Sequence, residues 1–331
     1  MGTPEFAVES LRALVEGGYN VVAVVTMPDK PAGRGHQVQY SAVKQYALQA
    51  GLPLLQPEKL KDPTFLHQLQ AYQADLQIVV AFRMLPEVVW AMPRLGTFNL
   101  HAALLPQYRG AAPLNWAVIN GDKETGATTF MLRHDIDTGN IILQERMPIA
   151  ENENVGSVHD RLMLLGKDLV LKTVDLIIDC DVKGIPVPTT PQPEISNLRT
   201  APKIFKETCE IHFADLTAKE IHNFVRGLSP YPAAWCNLTI HGKLYENVKV
   251  YEVQPLTKQE AAPYLYLNGN ASSPTDNASS QNDNASQTDN ASSPGNKDIL
   301  VPCREGYVRI LSLQLPGKKR MDAKALLNGL K

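Results

Sequence analysis

Long apolar runs are missing from this 331-residue chain. No window approaches the roughly 18 uninterrupted apolar residues of a membrane-spanning helix. The first ten residues, MGTPEFAVES, contain no basic stretch followed by an apolar one, so they do not read as a secretory leader. Cysteine is scarce: Cys180, Cys209, Cys236 and Cys303 lie far apart and none forms a C-x-x-C pair. That excludes a disulfide scaffold and a thiolate zinc site, and it points to reduced thiols in a cytoplasmic protein. Neither charge dominates, with 32 Lys and Arg against 34 Asp and Glu. Nucleic acid would have to be held by local basic patches. No G-x-G-x-x-G opens a helix after a strand, which speaks against a dinucleotide-dependent dehydrogenase.

What is present suffices for a core. Hydrophobic residues make up 44% of the chain, and its length predicts about two domains. Thr3-Pro4 reads as a helix start, with Phe6, Ala7, Leu11, Leu14 and Val15 as its apolar stripe and Gly17-Gly18 as its stop. Val21 to Val25 and Leu76 to Ala81 read as buried parallel strands. The order is that of a βαβ unit lacking its opening strand, and we expect Met1 to be an internal methionine with the true start one strand earlier. Met27 to Tyr40, carrying two prolines and two glycines, is expected to be irregular. Asn154 to Asp181 keeps helical spacing, and the Pro-rich stretch from Gly184 is an extended linker. Thr217 and Glu220 form a capping box ahead of the stripe Ile221, Phe224, Val225 and Leu228. Strands Ala233 to Ile240, Leu244 to Val253, Ile299 to Cys303 and Tyr307 to Leu315 follow, the pattern of a small antiparallel OB-type barrel, closed by a helix from Asp322 to Leu330. Asn268 to Asn296 repeats Asp-Asn-Ala-Ser without an aromatic residue and is expected to be disordered. Its four Asn-Ala-Ser triplets are read as products of low complexity.

The chemistry concentrates between Phe98 and Ile142. Asn99 and His101 share one face of a strand because alternate residues point the same way. An amide and an imidazole there can donate to a developing oxyanion, and Asp137, in a polar turn, can hold the imidazolium if its loop folds back. No Ser or Cys stands beside the histidine, which favours direct acyl transfer without a covalent intermediate. An Asn-x-His pair also occurs as a satisfied structural pair, and residue chemistry alone leaves both readings open. His134 and Asp135 with Asp137 match no standard ligand spacing, so no metal is expected.

The ordered motifs decide more. Asn99-Leu100-His101, Ala103-Leu104-Leu105-Pro106, Tyr108-Arg109-Gly110-Ala111-Ala112-Pro113 and Ile136-Asp137-Thr138-Gly139 resemble the signature of the 10-formyltetrahydrofolate-dependent formyltransferases, with Ala103 where serine is usual. The likeness spans nearly the whole chain except about residues 262 to 297. It implies an α/β fold: a Rossmann-like formyltransferase domain, its first strand apparently missing, over residues 1–188. A linker over 189–206 and an OB-like tRNA-binding domain over 207–331, with a disordered insertion at 264–297, complete it. It implies Asn99, His101 and Asp137 as the catalytic trio and Ala103, Leu104, Leu105 and Pro106 as contacts for 10-formyltetrahydrofolate, with the Phe82-to-Pro86 turn walling the pterin pocket. The Pro28-to-Gly35 loop and the C-terminal third carry the likeness toward initiator methionyl-tRNA as acceptor, with Arg34 and Lys206 touching RNA and the chain acting as a monomer. The Lys318-Lys319-Arg320 cluster is read as a further RNA-facing patch. Three alternatives stay open: another amine acceptor such as glycinamide ribonucleotide or an amino sugar, the dehydrogenase, and a non-catalytic tRNA- or folate-binding module.

Overall fold

The computed structural model of the chain describes residues 1–32, 37–266, 289–292 and 298–330. They form two compact units. The first comprises Met1–Leu114, Lys123–Ala150 and Ser157–Lys203, and the second comprises Asn115–Asp122, Glu151–Gly156 and Ile204–Lys331. The stretch expected as a linker therefore lies up to residue 203 within the first unit.

In the first unit, helix Glu5–Glu16 starts after Pro4 and ends at Gly17, burying Phe6, Ala7, Val8 and Leu14. Of the expected strand Val21 to Val25, only Val24–Val25 pairs, in parallel with Leu54–Leu55. Its first three residues are only half-buried. Gln77–Val80 runs parallel to Thr97–His101, which pairs antiparallel with Glu124–Met131, itself antiparallel to Ile141–Pro148. Met1 and Gly2 lie between the two parallel pairs: Gly2 donates to the Val25 carbonyl and the Met1 carbonyl accepts from Val80. The Met1 ammonium donates to the Ile78 carbonyl at 2.7 Å, and burial lowers its pKa to about 5. The helices Ala42–Gln49 and Pro63–Ala71 are capped by Ser41 and Asp62, whose side chains accept from backbone N–H groups of the first turn. The long helix Val155–Lys183 packs on the sheet, where the Thr129 and Thr173 hydroxyls meet at 2.8 Å.

The Met27-to-Tyr40 stretch departs from expectation, because Lys30–Ala32 and Gln37–Gln39 pair as a short antiparallel ribbon. Pro31 is tolerated there since a two-stranded ribbon has free edges that need no N–H from it.

The second unit holds a curled sheet. Ala234–Ile240, Lys243–Leu256, Gly306–Gln314 and Ile299–Cys303 pair antiparallel in that order, and Met321–Asp322 adds to Gly306–Gln314. Register shifts around Val250 to Val253 bend the 14-residue strand, which lets the sheet wrap into a small barrel. Alternate residues Ala234, Cys236, Leu238 and Ile240 point inward and are buried with Val248, Ile299, Val301, Ile310 and Leu313. Helix Ala218–Leu228 lays Ile221, Val225 and Leu228 on this core, and its capping box forms as read: Thr217 Oγ1 accepts from Glu220 N while Glu220 Oε2 accepts from Thr217 N. The insertion expected to be disordered, 264–297, falls mostly outside the described residues. Within its span, helix Lys258–Tyr266 extends to residue 266, and Asp289–Ser292 pairs in parallel with Ala234–Ile240, so those parts are regular. No disulfide joins the four cysteines.

Candidate active site

The site lies where the parallel pair of strands ends. Asn99 and His101 are the third and fifth residues of Thr97–His101, and in an open α/β sheet the carboxyl ends of such strands form the ligand crevice. Ala81, directly after the partner strand, takes a positive φ of 47° and turns the chain away. Arg83 in the following turn donates to the carbonyls of Glu58 and Pro57, which fastens the wall on that side.

His101 is 5% exposed, and both ring nitrogens have defined neighbours. Nε2 lies 2.9 Å from the Tyr108 carbonyl. A carbonyl only accepts, so Nε2 carries the hydrogen and Nδ1 is the nitrogen left to gain or lose a proton. Nδ1 faces Asp137 Oδ2 at 3.9 Å, too far for a direct hydrogen bond and close enough for a protonated ring to feel the carboxylate. Phe130 meets the ring edge-on with centroids 6.4 Å apart and fixes its plane. Asn99, on the same face of the strand, is half-buried, and its side-chain amide makes no hydrogen bond among the described residues. The Asn99 amide and the imidazole Nδ1 are thus two groups able to donate, carried on one face of the strand.

Asp137 reaches this place because its loop is held at several points. Its φ is 54°, and its Oδ2 accepts from Gly110 N at 3.0 Å. Gly110, at φ 129°, packs so closely on Ala201 that a Cβ would collide with the Ala201 backbone. Thr200–Ala201 runs parallel to Arg109–Gly110, and the Tyr108 N–H donates to the Arg199 carbonyl at 2.7 Å. Ile141 and Thr190 exchange backbone hydrogen bonds at 2.8 Å. The stretch from Thr190 to Ala201 therefore works as a strap around the site. The sequence reading missed it, because Pro-rich composition signals extension and says nothing about what an extended chain pairs with.

Of the four residues expected at the folate, Ala103 and Leu105 are fixed by side-chain hydrogen bonds to their backbone. Thr128 Oγ1 donates to the Ala103 carbonyl and accepts from Leu105 N, while Gln144 Nε2 donates to the Leu105 carbonyl. Ala103, Leu105 and Pro106 are buried and Leu104 is half-buried, so Leu104 is the side chain of the four that keeps exposed surface. Lys206 belongs to the second unit, where its ammonium stands 5.4 Å from the centre of the Trp235 ring. Arg34 lies outside the described residues. No group of three or more His, Cys, Asp or Glu side chains suited to a metal ion occurs among the described residues.

Comparison with known proteins gives the family. The formyl transferase family model matches residues 1–174, and the model for its C-terminal domain matches 203–331. The chain belongs to the formyl transferase family. The methionyl-tRNA formyltransferase of Bacteroides thetaiotaomicron is 55% identical, covering 100% of this chain and 94% of that protein. The protein of that name from Parabacteroides distasonis is likewise 55% identical, with coverage of 100% and 94%. Among solved structures, an N-formyltransferase from Helicobacter canadensis, in complex with folinic acid and dTDP-3-aminofucose, aligns at TM-score 0.58 and 19% identity over 93% of this chain and 96% of its own. HypX from Aquifex aeolicus, in complex with tetrahydrofolic acid, aligns at TM-score 0.53 and 17% identity over 86% of this chain; this chain spans 43% of HypX. These two show that the formyl transferase fold is shared. No described helix is long and apolar enough to cross a membrane.

Proposed function

We propose that the chain transfers a formyl group from 10-formyltetrahydrofolate to the α-amine of initiator methionyl-tRNA. The observation that carries this reading is full-length identity of 55% to methionyl-tRNA formyltransferases, joined to a site whose Asn99, His101 and Asp137 suit such chemistry. The amine attacks the formyl carbon, forming a C–N bond and a tetrahedral oxyanion. Asn99 and protonated His101 donate to that oxygen, and each well-placed donor contributes on the order of 3 kcal/mol to the transition state. His101 does so through Nδ1, since Nε2 is committed to Tyr108. Asp137 balances the imidazolium and orders a water that carries the amine proton to N10 as the C–N10 bond breaks. Ala103 to Pro106 supply a fixed rim for the folate, with Leu104 as the contacting side chain. Arg34 and Lys206 contact the tRNA, and an Arg34→Ala change raises KM for methionyl-tRNA rather than lowering kcat. The protein works in the cytoplasm as a monomer.

An assay of the purified chain with 10-formyltetrahydrofolate and either methionyl-tRNA or a nucleotide-linked amino sugar tests the reading. Formylation of the charged tRNA alone supports it. Turnover only with the sugar, or folate binding without turnover, overturns it.

A further inference from the structure

Gln192 is the joint of a closed ring of contacts. Its Nε2 donates to the carbonyls of Asp137 and Gly139, both at 2.8 Å. Its Oε1 accepts from Arg109 Nε at 3.1 Å and Nη2 at 2.6 Å. Arg109 is followed by Gly110, whose N–H holds the Asp137 carboxylate at 3.0 Å. The ring thus runs Asp137, Gly110, Arg109, Gln192 and back to Asp137. The orientation of the amide admits one assignment, because the guanidinium can only donate and the two carbonyls can only accept.

Asp137 sits in the left-handed region at φ 54°, and Gly139 packs against the Met131 carbonyl too tightly for a side chain. A short loop with those demands needs something to hold its peptide planes. Gln192 grips the carbonyls on both sides of Thr138, while Gly110 grips the carboxylate. The same strap reaches Ile141 through Thr190, and Asn140 Nδ2 donates to Thr189 Oγ1 at 3.2 Å.

We infer that Gln192 is a positioning residue for formyl transfer: it sets the Asp137 carboxylate opposite His101 without touching substrate. This inference rests on the catalytic reading given above for Asp137. A shift of about 1 Å in a catalytic group can cost on the order of 100-fold in rate, so the loss should appear in kcat.

The test uses the full chain with Gln192→Met, which keeps the volume and removes both polar ends, and Gln192→Glu, which keeps the acceptor for Arg109 and turns the donor toward two carbonyls into a repelling oxygen. Both should lower kcat by about 10-fold or more, leave KM for each substrate within about 2-fold, and speed amide exchange across residues 135–141 without changing the melting of the second unit. Added to Asp137→Asn, Gln192→Met should cause little further loss, because the two act on one carboxylate. Unchanged kcat, unchanged exchange of the loop, or a full additive loss in the double variant would each overturn the inference. Should the unaltered chain transfer no formyl group, the catalytic reading fails by itself, and loop exchange in the two variants still decides whether Gln192 holds Asp137.

Discussion

The two units place their order in different materials. The barrel is held by an apolar interior in which Leu238, Ile240, Ile299, Ile310 and Leu313 are fully buried. The rim around His101 is held by a mesh of polar contacts: Tyr108 to His101, Gly110 to Asp137, and Gln192 to both neighbours of Thr138. An apolar core loses energy in proportion to the volume removed, and a polar mesh loses geometry when one bond goes. Stability should therefore live mainly in the one and turnover in the other.

The widest separation is expected at His101→Ala, which removes the oxyanion donor and should cut kcat by about 100-fold or more with little change in melting temperature. Steady-state kinetics beside a thermal melt check this, and a matching loss of stability would erase the contrast. Leu313→Ala should do the reverse. It should destabilise the second unit by about 2–5 kcal/mol while the folded fraction keeps its kcat, as measured by denaturant unfolding and active-site titration.

A smaller effect belongs to the cap of helix Ala218–Leu228. Backbone and side-chain hydrogen bonds from Thr217, with the Arg304 guanidinium nearby, hold the Glu220 carboxyl below the ordinary carboxylate range. A depressed folded-state pKa contributes stability above the ordinary carboxylate value, and that contribution is lost as pH falls through the depressed value. Glu220→Gln should thus lower stability slightly at neutral pH, and its difference from the unaltered chain should shrink in acid. Urea melts at several pH values measure this; a difference that grows in acid would contradict it.

The same contrast explains what could be read from the amino-acid order. Period-2 alternation in Ala234–Ile240 and the Thr217–Glu220 box state their structure locally, and both formed as expected. The grouping of Asn99, His101 and Asp137 is an expectation from motif likeness, and strand alternation puts only the first two on one face. Asp137 meets His101 through a loop fixed from 55 residues away by Gln192. A lone glutamine among prolines has no periodicity and no charge to betray it. Nor does the local pattern tell that residues Asn115–Asp122 and Glu151–Gly156 belong with the barrel, since that division is settled by distant packing.

Asp137→Asn is the most direct trial of the account, because it keeps the shape and removes the charge that faces His101 Nδ1. With both substrates saturating, formyl transfer to methionyl-tRNA should slow by about 100-fold or more while each KM stays within about 2-fold. Turnover equal to that of the unaltered chain, or a rise in KM that accounts for the whole loss, would contradict it.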